Sequence, residues 1–145
     1  MNSTTIKSLL KLEGRINRTE FFAYLFLLQI TFFLITLPTH YMPDDIFNEL
    51  NIITQIIFAI LMFLLAIGRV HDYNESILYA LLFFVPLINL FIIFAKGEPF
   101  PNKYGPPRPS PTVLTKLLAI SFILVPTVML IILSLSPELA ESIKS

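Results

Sequence analysis

Cysteine is absent from the 145-residue chain, which excludes disulfides, iron–sulfur clusters and cysteine-based zinc sites. Histidine occurs only twice. One His beside a few carboxylates falls short of a tetrahedral ligand set, so neither a metal nor any other cofactor is expected. No HExxH helix, Gly-rich phosphate loop or nucleophile–base–orienter arrangement occurs, and no catalytic residue is assigned. Charged residues are scarce at 14%, against roughly 25% in ordinary globular chains. The ten basic and ten acidic side chains cancel. No basic stripe with interleaved aromatics stands outside the apolar runs, which argues against a nucleic-acid partner.

What is present is apolar. Hydrophobic residues make up 55% of the chain, and the mean hydropathy is +0.77. The excess is gathered into blocks near residues 21–37, 52–67, 77–95 and 117–135. Each is roughly 16–20 residues, the length an α-helix needs to cross ~30 Å of hydrocarbon at 1.5 Å per residue. The predicted fold is therefore all-α, an integral membrane helical bundle of four transmembrane helices. Residues 1–112 form the main membrane unit, and residues 113–145 add a C-terminal helix and a short tail. The first block is too long for a signal-peptide core and ends without a cleavage site, so it reads as a retained anchor. Ahead of it, Ile6, Leu9 and Leu10 share one face of a short helix suited to the headgroup layer.

Local signals mark the boundaries. Asn17 and Glu20 have capping-box spacing just before the first run. Pro38 ends that run, and Tyr41 supplies an interfacial ring. Pro43-Asp44-Asp45 reads as a turn and N-cap before the second run, and Gly68 to Ser76 as a tight connection. Asp72 or Asn74 is the expected cap of the helix that follows. The segment holding Pro99, Pro101, Pro106, Pro107, Pro109 and Pro111 favours an extended path.

Topology is the open point. Cytoplasmic loops are enriched in Lys and Arg, which sets Lys7, Lys11, Arg15 and Arg18 inside and the acidic stretch with Asp44, Asp45 and Glu49 outside. Arg69 then falls inside. If residues 77–95 cross fully, Lys96, Lys103, Arg108 and Lys116 all fall outside, against the rule. Pro86, with Asn89 three residues on, divides that run into halves too short to span. Re-entry is then the alternative, tolerated where protein buries the backbone. Four helices with full crossing is the reading carried forward, with re-entry set against it.

Three polar clusters bracket the runs. They hold Arg15, Arg18 and Glu20, then Arg69, His71 and Asp72, then Asn102, Lys103 and Tyr104. The first two share a membrane face, because two spans separate them. The plain account is interface anchoring and helix capping. The sharper one is a mixed-charge pocket for a lipid headgroup, a small anion or a membrane partner, since the planar guanidinium suits phosphate and carboxylate. Membrane lipids, a homo-oligomer or a membrane-protein partner are the expected associations. A His71–Asp72 relay, or an enzyme acting on headgroups through that pair, ranks lower. The other class is a subunit of an oligomeric transporter or channel, with a polar seam through Gln29, Gln55 and Asn89.

These clusters carry a resemblance. Gly14-Arg15-Ile16-Asn17-Arg18-Thr19-Glu20-Phe21-Phe22 resembles the opening GRxxRxEFW of the domain of unknown function 805 family, the YhaH-like proteins of bacterial inner membranes. Arg69-Val70-His71-Asp72 is similar to that family's RRLHD. Pro86-Leu87-Ile88-Asn89 stands where it has Pro-Leu-Ile-Gly, and Asn102-Lys103-Tyr104-Gly105-Pro106 matches its N-[KR]-Y-G-x-x-P. The chain departs from the pattern at Gly68, which replaces the first Arg, at Tyr73-Asn74-Glu75, and in lacking the paired Trp. The resemblance implies a protein of the bacterial inner membrane, to which the apolar runs add several passes and the charge pattern a cytoplasmic N-terminus. It implies no reaction.

Overall fold

The computed structural model describes residues 14–136, apart from the side chains of His40 and Leu133. The short helix expected at residues 6–12 and the tail beyond 136 lie outside the described residues. The protein is all-helical, with no strand among the described residues. Among the described residues, three helices are long and apolar enough to cross a membrane. We label the α-helices α1 (Arg18–Thr36), α2 (Asp44–Asp72), α3 (Ile77–Ala80), α4 (Ile88–Phe94) and α5 (Val113–Leu135).

The capping box forms as its spacing requires: the Asn17 side chain accepts from Glu20 N and the Glu20 carboxylate from Asn17 N. Helix α1 ends where Pro38 opens a 3₁₀ turn, Pro38–Tyr41, and α2 returns antiparallel with Phe58 against Phe32 at 4.7 Å.

Helix α2 runs well past the apolar block at both ends. It starts at Asp44, with two carboxylates in its first turn, and keeps Gly68–Asp72 in its last turns. The expected tight connection at Gly68 is therefore corrected: Arg69, His71 and Asp72 are helical. At 29 residues the helix is about 43 Å long, enough to carry both ends beyond ~30 Å of hydrocarbon. It closes with Asn74 at φ 66°, Glu75 N donating to Val70 O and Asn74 N to His71 O, the paired bonds of a Schellman cap. Asn74 thus ends one helix, and Ser76 caps the next by accepting from Leu78 N.

Residues 77–95 do not form a third continuous span. α3 passes into a 3₁₀ turn, Leu81–Phe84, and α4 starts only at Ile88. Between them Pro86 lacks an N–H, and Leu87 takes φ 71°. The run doubles back to the end it left, where Glu98 N donates to Asp72 O at 2.8 Å. The run thus folds as a helical hairpin in place of one long helix, beside three continuous candidate spans among the described residues.

The packed core sits at this same end. Phe21 and Leu25 of α1, Ala66, Ile67 and Val70 of α2, and Ala80, Phe83 and Ile92 of the hairpin form one buried cluster. Phe21 meets Phe83 edge-on at 5.9 Å. α5 lies along α1 in the same direction, with Phe122 5.5 Å from Phe22. Away from this end, residues such as Phe33, Leu34, Ile53, Ile56 and Leu130 face outward, as lipid-facing surfaces do.

Candidate functional site

A helix leaves its last carbonyls without partners, and they carry a partial negative charge. Near the C-terminus of α2 the carbonyls of Gly68, His71 and Asp72 are met by groups from outside the helix. Ile16 N donates to Gly68 O at 2.8 Å. The Asn102 side-chain amide donates to His71 O at 2.9 Å. Asp72 O accepts from Glu98 N at 2.8 Å and from Arg15 Nη2 at 3.1 Å.

The side chains build a second layer. Asp72 Oδ1 accepts from Arg15 Nε at 3.1 Å and Nη2 at 3.0 Å, and Oδ2 from Arg69 Nη1 at 2.8 Å. Arg15 also donates to the carbonyls of Phe100, at 2.8 Å, and Glu98, with a longer 3.5 Å approach to Gly105 O. Arg69 donates to Ala95 O. Both guanidiniums are buried, and Asp72 is only 4% exposed. Two arginines on one carboxylate leave a buried net positive charge, set against the negative end of the α2 dipole. Gly97 packs so close that a Cβ there would lie 1.9 Å from Asp72 Oδ2.

His71 faces away from Asp72. Its Nδ1 lies 3.3 Å from Gly14 O, and because a carbonyl only accepts, the proton is on Nδ1. The ring stacks on Tyr104 at 3.6 Å and 10°. The His71–Asp72 relay considered from sequence is not assembled, since both Asp72 oxygens are held by arginines. Tyr104 stands in a tight turn, in which Asn102 and Gly105 exchange backbone bonds and Gly105 takes φ 118°. Tyr73, just past α2, has a buried hydroxyl with no partner. Burial pushes its phenol up to about 12, against an opposing pull from Arg69, so it stays neutral.

The structure thus brings together Arg15, Arg69, His71, Asp72, Asn102 and Tyr104. Arg18, Glu20 and Lys103 stand at the edge. Glu20 serves the α1 cap and lies 3.9 Å from Arg108. Lys103 covers the outer face of Tyr104 at 5.0 Å. Sequence reasoning missed Arg108, which donates to Arg15 O, and the backbone role of Ala95, Gly97 and Glu98. No spacing announces those, because they act through chain folded back from another element.

Beside this knot lies an open cleft of about 350 Å³, lined by Arg18, Asp72, Lys96, Glu98, Arg108 and the rest of the Pro107–Pro111 stretch among others. Elsewhere Gln55 donates to Asn51 within its own helix at 3.1 Å, and Gln29 is exposed, so no polar seam with Asn89 forms within the chain.

No curated protein and no solved structure matches the chain. The family model described as "Protein of unknown function (DUF805)" matches residues 9–106, a stretch that contains every residue of the knot, and the chain belongs to that family.

Proposed function

We propose that the protein is a non-catalytic module of the bacterial inner membrane that binds phosphate-type anions at its cytoplasmic face, through the open basic cleft beside the knot. One observation carries this reading. Arg15 and Arg69 are occupied by Asp72 and backbone carbonyls, whereas Arg18 and Lys96 line the same cleft exposed and with no hydrogen bond or ion pair among the described residues. The buried arginines serve as scaffold, and the rim cations are the ones free to bind. Pro107, Pro109 and Pro111 restrict the backbone of the wall that carries Arg108, which lowers the ordering cost of binding there.

The cytoplasmic orientation follows from charge. With residues 77–95 folded back, Lys96, Lys103, Arg108 and Lys116 join Arg15, Arg18 and Arg69 at one end, and Asp44, Asp45 and Glu49 lie at the other. That is the distribution the positive-inside rule describes.

The reading is tested by thermal unfolding of the detergent-purified protein with increasing inorganic phosphate or phosphatidylglycerol. A ligand at one hundred times its Kd stabilises by about 2.7 kcal/mol. The wild type is expected to show a saturable rise with at least one of the two, and Arg18→Gln/Lys96→Gln to lose it while unfolding normally without ligand. No response to either probe would sink the proposal.

A further inference from the structure

We infer that the anion is the phosphate of a phospholipid from the same leaflet, held between Arg18 and Lys116, with one acyl chain in the groove between α1 and α5. This rests on the anion-binding reading above and names the source of the anion.

A second cavity, of about 410 Å³, opens between the two parallel helices and is lined by Arg18, Thr19, Phe22, Lys116, Ala119, Ile120 and Ile123. Its two ends differ in chemistry. At the head stand Arg18 and Lys116, both exposed and neither with an acidic partner among the described residues. Below them the walls are apolar. Ala119, the smallest side chain of the lining and the buried one, forms the floor, and Phe22, Ile120 and Ile123 line the groove with it. From Lys116 to Ile123 the groove descends seven residues of helix, roughly 10 Å, from the headgroup level into hydrocarbon.

Charge complementarity selects the occupant. A neighbouring apolar helix would fill the lower groove but would press against two unpaired cations and strip their water. Free phosphate would satisfy the cations and leave the groove to bulk lipid. An anionic diacyl lipid satisfies both ends. The two cavities are also continuous, since Arg18 and Thr19 line each of them. A headgroup at Arg18 can therefore extend its polar substituent toward Lys96 and Arg108 while its chain runs the other way.

The test uses full-length protein in detergent micelles, with retention of dioleoyl-phosphatidylglycerol read by native mass spectrometry and dioleoyl-phosphatidylcholine as the zwitterionic reference. Wild type is expected to hold phosphatidylglycerol in preference. Ala119→Phe, which fills the floor, is expected to weaken retention by about tenfold, comparable to withdrawing roughly two methylenes from an apolar site. Its response to inorganic phosphate or glycerol 1-phosphate in thermal unfolding should be unchanged. Ile123→Trp blocks the groove from its exposed wall and serves if Ala119→Phe does not fold. Phosphatidylglycerol retained equally by wild type and both groove variants overturns the acyl-chain site yet leaves the anion cleft standing. Retention unchanged in Arg18→Gln/Lys116→Gln overturns the head-site assignment. If the phosphate response is also absent from wild type, the anion-binding reading fails with it.

Discussion

Asp72 presents two carboxylate oxygens to two guanidiniums in a place from which water is largely excluded. Charges withdrawn from water incur a desolvation cost that mutual attraction offsets only when geometry and remaining hydrogen bonds are good. Arg15 meets that condition, spreading its donors over the Asp72 carboxylate and the backbone carbonyls of Asp72, Glu98, Phe100 and Gly105, whereas Arg69 Nε is buried without a partner among the described residues. Removing one member of such a set leaves a buried charge uncompensated, at roughly 3–5 kcal/mol. Asp72→Ala and Arg15→Ala are therefore each expected to destabilise by that order in chemical unfolding from detergent micelles. The double variant should lose less than the sum, by a coupling of about 0.5–3 kcal/mol. Strict additivity would contradict the coupled arrangement. Arg15→Lys is not expected to rescue, since an ammonium has three donors and no planar fork to reach acceptors on opposite sides.

At the scale of elements, the strained position is Leu87. Its φ of 71° with ψ −40° lies near the strained γ-turn region, where a non-glycine residue costs roughly 1–3 kcal/mol, and the residue is 79% exposed, so little packing holds it there. Leu87→Gly is expected to leave the thermal midpoint unchanged or raised, and Leu87→Ile, β-branched at Cβ, to lower it. The reverse order would mean that the hairpin does not turn here. This turn also shows where sequence reasoning ended. Asn17 and Glu20 announced the start of α1 because both partners of the capping box lie within one turn. Pro86 announced a break, since a missing N–H is a local property. The direction taken after the break was not legible: it depends on Arg15, Arg69 and Asp72 receiving the chain at Ala95, Glu98 and Phe100. In the same way Gly68-Arg69-Val70-His71-Asp72 read as a connection because its polarity ends the apolar block, yet it stays helical because distant residues satisfy its carbonyls. The knot residues could be named from sequence. The division into buried Arg15 and Arg69 and free Arg18 could not, because Arg15 is held by partners 57 to 90 positions away and Arg69 by a carbonyl 26 positions away.

For the molecule as a whole, the knot and the topology stand or fall together. Asn102 can reach His71, and Glu98 can reach Asp72, only if residues 77–95 return to their starting face, and that return gathers the cations at one end. Since the chain has no native cysteine, single cysteines report this directly. Ser110 is exposed beside the cleft, and Tyr41, 87% exposed, marks the opposite end. In intact cells treated with a membrane-impermeant maleimide, Tyr41→Cys is expected to label and Ser110→Cys to label only after permeabilisation. The inverse pattern would keep the hairpin but turn the molecule over, placing the cleft on the outer face. Labelling of both from outside would mean that residues 77–95 cross the bilayer. Asn102 and Tyr104 would then be separated from His71 by the full hydrocarbon thickness, about 30 Å, far beyond the 2.9 Å of the Asn102–His71 bond.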